Sequence, residues 1–447
     1  MAPSRPASAR SYLCIDLKSF YASVECVERG LDPLTALLAV ADPDRGTGTI
    51  CLALSPALKA LGIRNRCRVY EIPRWIPYVK AVPRMKLYID YAARIYSTYL
   101  DFIAAEDIHV YSIDEAFFDV TAYLRLYHAS PRELAVRLMD AVLRRTGIRA
   151  TAGIGTNLYL AKIALDILAK HAPDFIGELD EPAYRERLWR HQPLTDFWRI
   201  GPGIARHLAT LGLFTMEDIA HAPTDLLYRE FGVDAELLID HAWGREPVRM
   251  ADIKAYRSKT HSLSSGQVFL RDYAFAEARL VAKEMMDQLC LDMVEKGVAT
   301  ASVTLWVAYA SHPAATPAPA PGEGIPGVSP EDVRLPGVAA TATLVRPSSS
   351  GPAWIAAIDD LFARTVSPAA CIRRVNLSCN HLVREEDIDY GLFDDPAQEV
   401  KTRSLQAAVN TIKRRFGKDA ILKGMDFLPG ATTRERNHQI GGHKSGE

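Results

Sequence analysis

Tyr111-Ser112-Ile113-Asp114-Glu115-Ala116-Phe117-Phe118 places two adjacent carboxylates between short runs of strand-forming residues. The flanks, 110–113 and 116–120, are apolar or aromatic, a composition that suits buried strands. Neighbouring acids in such a setting are costly to bury unless something positive meets them, and a hard divalent cation is the usual answer. The competing reading is a surface hairpin with an acidic tip. The apolar flanks weigh against it.

Working outward, Tyr12 to Leu17 reads as a buried strand carrying Asp16 near its end. A helix over Phe20 to Arg29 follows, with Ser19 as its cap and Gly30 as its stop. Residues 31–86 form a small mixed region with strands at 37–40 and 49–54 and a short helix from Ser55-Pro56. Periodicity predicts helices over 87–105 and 131–145. The opening stretch is a hairpin, 108–112 with 116–121. A strand at 149–155 leads to a helix capped by Asn157 and running to about Lys170. Without the 31–105 insert the order is strand, helix, strand, strand, helix, strand, the split βαβ pattern of a ferredoxin-like fold. There the first and third strands lie side by side, which brings Asp16 to Asp114 and Glu115. Two divalent ions in such a cluster, roughly 3.5–4 Å apart, clamp the attacking and leaving oxygens of a phosphoryl transfer. Mg²⁺ suits this, because it keeps few protein ligands and shares substrate oxygens. Nucleic-acid polymerases and nucleotide cyclases both fit the pattern at this point.

Composition sets wide limits. The chain has 447 residues, 48% hydrophobic and 24% charged, with a formal net charge of −1. Its length implies about two to four domains. Near-neutral charge excludes a uniformly basic nucleic-acid coat but leaves room for a local basic face. Seven cysteines without a C-x-x-C pair point to reduced thiols in a cytoplasmic protein rather than a disulfide framework or zinc site. No apolar run reaches the roughly 20 residues of a membrane span, so no membrane partner is expected.

Cys14-Ile15-Asp16-Leu17-Lys18-Ser19-Phe20-Tyr21-Ala22-Ser23-Val24-Glu25 resembles the first motif of the Y-family translesion DNA polymerases, and Ser112-Ile113-Asp114-Glu115-Ala116 resembles their S-I-D-E-A/V motif. Residues 151–157 and 160–164 are similar to the strand and helix that follow in that family's palm. The resemblance covers about residues 11–430 and is closer to the UmuC-type branch, as in Gram-positive bacteria. It implies an α+β, multidomain right-hand polymerase. Its parts are a ferredoxin-like palm (11–30 and 87–176), small fingers (31–86), a helical thumb (177–246), an α+β little finger (257–430) and a tail (431–447). It implies DNA-dependent DNA synthesis past damaged template, with primer-template DNA and deoxynucleoside triphosphates as partners and two Mg²⁺ ions as cofactor. Asp16, Asp114 and Glu115 become the catalytic, metal-binding acids, joined by the Leu17 carbonyl. Phe20 and Tyr21 line the sugar pocket, Tyr21 as steric gate, and Lys170 meets the triphosphate. The fingers depart from the pattern. Where other members place a Tyr and an Arg on the triphosphate, this chain has Pro56 and Lys59, with Ser55 available to share the task. Lys18 also stands where an acid is common. These departures are the support for the alternative, a non-catalytic DNA-binding or clamp-associated accessory protein that retained the fold.

Beyond the palm, Gly201-Pro202-Gly203-Ile204 resembles a helix-hairpin-helix whose backbone N–H groups meet a DNA phosphate. The family's thumb and the basic C-terminal region weigh against a cyclase. Residues 311–352, rich in Pro, Ala, Gly and Ser, read as a flexible loop. Asp389-Tyr390-Gly391-Leu392-Phe393 resembles the sliding-clamp peptide of bacterial polymerases through Leu392 and Phe393, without its leading Gln. Residues 401–447 hold ten Lys/Arg and four Asp/Glu, which suits a DNA-facing stretch or a solvated helix with a frayed tail.

Overall fold

The protein is described by a computed structural model covering residues 10–257, 262–310, 337–389 and 396–446. The chain forms two compact units, residues 1–257 with 443–447, and residues 258–442.

In the first unit, β1 (Tyr12–Leu17) leads into α1 (Phe20–Glu28). A small three-stranded sheet follows from β2 (Leu38–Val40), β3 (Ala53–Leu54) and β4 (Val79–Ala81), with α2 (Pro56–Ala60) between the last two. This insert has its own small core, including Leu54, Leu58, Cys67 and Ile76. The chain returns through α3 (Met85–Leu100) to β5 (Ile108–Val110) and β6 (Glu115–Asp119). Then come α4 (Tyr123–Leu126), α5 (Pro131–Thr146), β7 (Ala150–Gly155), α6 (Leu158–Ile163) and β8 (Ile176–Leu179). The main sheet runs β5-β6-β1-β7-β8, with β1 antiparallel to both neighbours. This is the ferredoxin-like order expected from the sequence, with β8 added parallel to β7.

The β7–α6 crossing is unusually close. A Cβ on Gly153 would lie 2.0 Å from the Ala161 carbonyl oxygen, and one on Gly155 would lie 2.2 Å from the Ala161 nitrogen. These glycines are required by backbone approach, not by turn geometry. After α6 the helical path continues as a π turn over Ala164–Leu168 and a 3₁₀ turn over Ala169–His171, so the expected helix to Lys170 is present but wound differently. Such bulges frequently mark functional sites.

The helices α7 (Glu181–Leu188), α8 (Pro202–Thr210), α9 (Met216–His221), α10 (Thr224–Phe231) and α11 (Asp234–Ala242) pack around Leu188, Phe197, Leu208 and Leu238, sharing that core with Tyr159 and Leu160 of α6. The helical region thus builds its core on α6. A last short helix, α12 (Met250–Ala255), carries Met250 onto Tyr12 and Leu165.

The second unit repeats the strand-helix-strand-strand-helix-strand order in a different arrangement. Its elements are β9 (Leu263–Tyr273), α13 (Phe275–Lys296), β10 (Val298–Tyr309), β11 (Gly337–Ser348), α14 (Gly351–Thr365) and β12 (Ile372–Asn380), and the sheet order is β11-β10-β12-β9. Trp354, Ile358 and Phe362 of α14 and Met285 and Leu289 of α13 fill the core. Two expectations are corrected here. Of the loop read over 311–352, residues 311–336 lie outside the described residues, and 337–348 is a strand paired with β10 along most of its length. Its Val338, Ala340 and Ala342 alternate into the core, a period-two pattern hidden in an Ala- and Thr-rich segment. Nor is the tail frayed. The buried Glu284 carboxylate accepts from the Thr432 and Thr433 N–H groups at 2.9 and 3.1 Å, which anchors α16 (Thr433–Asn437), after the long α15 (Pro396–Phe416). Residues 443–446 belong to the first unit, where Lys444 pairs with Asp42 and Asp44 and the Lys86 N–H bonds the Ser445 carbonyl. No helix among the described residues is long and apolar enough to cross a membrane. All seven cysteines are free, and six are buried.

Replacing Gly153 by Ala forces α6 off β7 and is expected to cost about 3 kcal/mol. Urea unfolding of the two proteins checks this. A variant within about 0.5 kcal/mol of wild type would show that the crossing relaxes freely.

Candidate active site

The sheet register decides which acids meet. Asp16 lies directly opposite Glu115 in the β1–β6 pairing, and the Leu17 N–H donates to the Asp114 carbonyl at 2.9 Å. Asp114 is oriented by Ser112, whose hydroxyl donates to its carboxylate at 2.7 Å. Asp16 feels the arrangement strongly. Burial, then the charge of Asp114, then that of Glu115 push its pKa from 3.8 up to about 7, with Lys170 and Lys162 opposing. An electrostatic cost of this kind is what a divalent cation relieves, and an all-oxygen set of carboxylates plus a backbone carbonyl suits a hard ion. As they stand, the three acids are not gathered into a ready ligand cage. Among the described residues no group of three or more His, Cys, Asp or Glu side chains is close enough to hold an ion. Glu115 is turned to Lys162, whose ammonium lies 2.9 Å from it, and to the Cys14 thiol, which donates at 3.1 Å.

Lysines surround Asp16. Lys18, Lys59 and Lys170 all couple to its charge. Burial lowers the pKa of Lys59, with Asp16 opposing and Lys170 and Lys18 adding to the fall. The Lys59 ammonium reaches back 2.9 Å to the Ser19 hydroxyl. Ser19 does not cap α1 as the sequence suggests. Its backbone sits in the left-handed region at φ 50°, uncommon for a residue with a side chain, and its hydroxyl serves Lys59 instead. Ser55 is also corrected. It is fully buried, its oxygen accepts from the Leu38 and Leu58 N–H groups at 3.1 and 3.4 Å, and it acts as the cap of α2 rather than a triphosphate contact.

Tyr21 stacks on Tyr88 with ring centroids 4.6 Å apart and planes at 27°. Tyr88 in turn donates to Glu25 at 2.7 Å. Glu25 is fully buried on α1 and is gripped by Arg84 through two bonds at 2.9 and 2.8 Å, with Arg29 completing the set. Burial raises its pKa, but the bonds from Arg84, Tyr88 and Arg29 outweigh this and hold it below the ordinary carboxylate value. Sequence reasoning missed Tyr88 and Arg84. The signal for a partner was Glu25 itself, an acid among the buried residues of α1. Phe20 is corrected as well. It is 2% exposed and backs Tyr21 from 5.6 Å rather than lining an open pocket.

The two loop candidates fare differently. Gly201 and Gly203 are exposed, an added Cβ on either would meet nothing within 4 Å, and Ile204 is half-buried at the start of α8. The element before them is one 3₁₀ turn, Leu194–Asp196, so the expected helix-hairpin-helix has only that short turn ahead of its hairpin. Leu392 and Phe393 lie outside the described residues.

Comparison with known proteins accords with this geometry. Residues 15–166 match the impB/mucB/samB family and residues 260–391 its C-terminal domain. UvrX of Bacillus subtilis (strain 168) is 30% identical over 440 residues, spanning 98% of each chain. The chain belongs to this family, the Y-family translesion DNA polymerases. DNA polymerase IV 2 of the same organism is 27% identical over 434 residues, 96% of this chain and 97% of that one. Among solved structures, a Y-family polymerase chimera, Dbh-Dpo4(243-245)-Dbh, aligns with a TM-score of 0.59 at 18% identity, covering 84% of this chain and 99% of the other. That likeness shows the fold.

Asp16→Asn removes a buried charge from a repelling cluster. In alkaline, chelated buffer, where Asp16 is ionised, the variant is expected to melt about 2–4 °C above wild type. Differential scanning calorimetry reads the difference, and an unchanged or lower Tm would mean the acids do not repel.

Proposed function

We propose that this polymerase extends a DNA primer opposite damaged template bases at the β1–β6 edge, with Asp16, Asp114, Glu115 and the Leu17 carbonyl holding two Mg²⁺ ions. The observation that carries this reading is the direct pairing of Asp16 with Glu115, next to Asp114, on one edge of the sheet. Such ions, when bound, lower the pKa of the primer 3′-hydroxyl and neutralise the triphosphate. The side chains supply position and charge, which is most of what phosphoryl transfer asks of a protein.

Lys59 and Lys170 receive the triphosphate, and Lys18, which shares their coupling to Asp16, adds a third positive charge. Three compact ammonium groups replace the bidentate fork that an arginine would offer, so the triphosphate is held by charge more than by geometry. Pro56 serves as the first residue of α2. Tyr21 sits against the deoxyribose, where its ring crowds a 2′-hydroxyl. Its backing by Tyr88, Glu25 and Arg84 makes it a rigid wall, and rigidity is what a steric gate requires. The exposed Gly201–Gly203 turn and the basic 401–447 region meet duplex phosphates, and residues 389–393 dock on the sliding clamp. The clamp contact rests on the sequence pattern alone.

Asp114→Asn is expected to lower primer extension by at least roughly a hundredfold while leaving primer-template affinity intact. Extension on a lesion-bearing template, read beside fluorescence anisotropy of the same DNA, separates the two. Undiminished extension would refute the assignment. Tyr21→Ala is expected to raise ribonucleotide incorporation with little change in deoxynucleotide use. Unaltered sugar selection would remove Tyr21 from the gate.

A further inference from the structure

Lys162 belongs to none of the roles above, yet it is among the most enclosed charges in the molecule. It is 8% exposed and sits on α6, the helix that Gly153 and Gly155 allow against the sheet. Its ammonium lies 2.9 Å from Glu115 Oε2 and 3.0 Å from Asp166 Oδ2. Asp166, one turn along, also holds Lys170 at 2.8 Å. A ladder therefore runs Lys170, Asp166, Lys162, Glu115. Lys162 thus sits between two carboxylates, which favour its charged form. The other Glu115 oxygen, Oε1, is engaged by the Cys14 thiol, which donates to it at 3.1 Å. Both oxygens of Glu115 are thus in use by the chain's own donors, whereas Asp114 is met by the Ser112 hydroxyl.

The geometry points to Lys162 as a positioning residue that holds Glu115 in register with Asp16 and competes with a divalent cation for Glu115 Oε2. The inference rests on the metal-site reading above and adds a regulator to it. In the absence of a cation the ammonium lowers the net negative charge of the cluster, which limits repulsion among the three acids. A cation entering beside Asp16 and Asp114 gains Glu115 only by sharing or displacing that ammonium. Asp166 sets the balance, because it draws on the same three N–H donors. Lys162 therefore weakens divalent-cation binding while keeping the third acid aligned for chemistry.

The test is Mn²⁺ binding to the cation-free full-length protein, read by electron paramagnetic resonance of the unbound ion. Lys162→Met, close in length and uncharged, is expected to bind Mn²⁺ roughly tenfold more tightly than wild type. Its extension rate at saturating Mg²⁺ should nevertheless fall. In a Glu115→Gln background the gain from Lys162→Met should disappear, since the coupling runs through that carboxylate. Asp166→Asn, which leaves Lys162 wholly to Glu115, should weaken Mn²⁺ binding. It serves as the second arm where Lys162→Met does not fold. Unchanged or weaker Mn²⁺ binding by a folded Lys162→Met, or an equal gain in the Glu115→Gln background, would overturn the proposal, as would an Asp166→Asn that binds like wild type. Wild type binding no more Mn²⁺ than Asp114→Asn would overturn the metal-site reading itself, and this inference with it.

Discussion

Carboxylates forced together at one edge of a sheet are the constraint from which the rest of this molecule follows. The antiparallel pairing of β1 with β6 sets Asp16 against Glu115, with Asp114 adjoining, and no conformational adjustment short of breaking the sheet separates their backbones. Burial first, and then the charges of Asp114 and Glu115, raise the proton affinity of Asp16. The fold answers with cations from three directions: Lys18 beside the strand, Lys59 from the small insert and Lys162 with Lys170 from the helix behind β7. Lys18, Lys59 and Lys170 couple to the charge of Asp16, while Lys162 is spent inside on Glu115.

Much of the surrounding structure serves to make these charges hold still. Gly153 and Gly155 let α6 approach the sheet closely enough to carry Lys162 to Glu115. The i,i+4 spacing along the helical path, which passes through the π turn after Ile163, sets Asp166 between two lysines, one buried and one exposed. On the other side of β1, the Glu25–Arg84–Tyr88 set fixes α1 to α3 and gives Tyr21 a flat ring to rest on. A buried ion pair is weak evidence for stability, because desolvation offsets the attraction. Its better-supported value is geometric, and here it fixes the ring on which Tyr21 stacks.

The replacements in the insert also become intelligible. Pro56 opens α2, and Ser55 caps it from a fully buried position, so that short helix is built as a rigid presenter of Lys59. The exposed lysine then reaches Ser19, whose left-handed backbone sits between Asp16 and Tyr21. Strain of this kind is retained where surrounding structure over-determines it, commonly at a working site.

The sequence by itself determined the order of strands and helices, the ferredoxin-like sheet and the meeting of Asp16 with the 114–115 pair. Periodicity and topology are local or combinatorial properties, and a strand order admits few solutions. It also determined the family, through two motifs roughly a hundred residues apart. It could not determine where long side chains end. Lys162 reads as an ordinary helical lysine, and only the close β7–α6 crossing turns it onto Glu115. Ser55 reads as a free hydroxyl until the β2 backbone covers it, and Ser19 as a cap until its own backbone turns left-handed. The strand at 337–348 stayed hidden because Ala and Thr carry little hydrophobic contrast, so its face was chosen by pairing with β10. Each of these outcomes depends on which groups arrive from elsewhere in the chain, a property of packing that no single stretch contains.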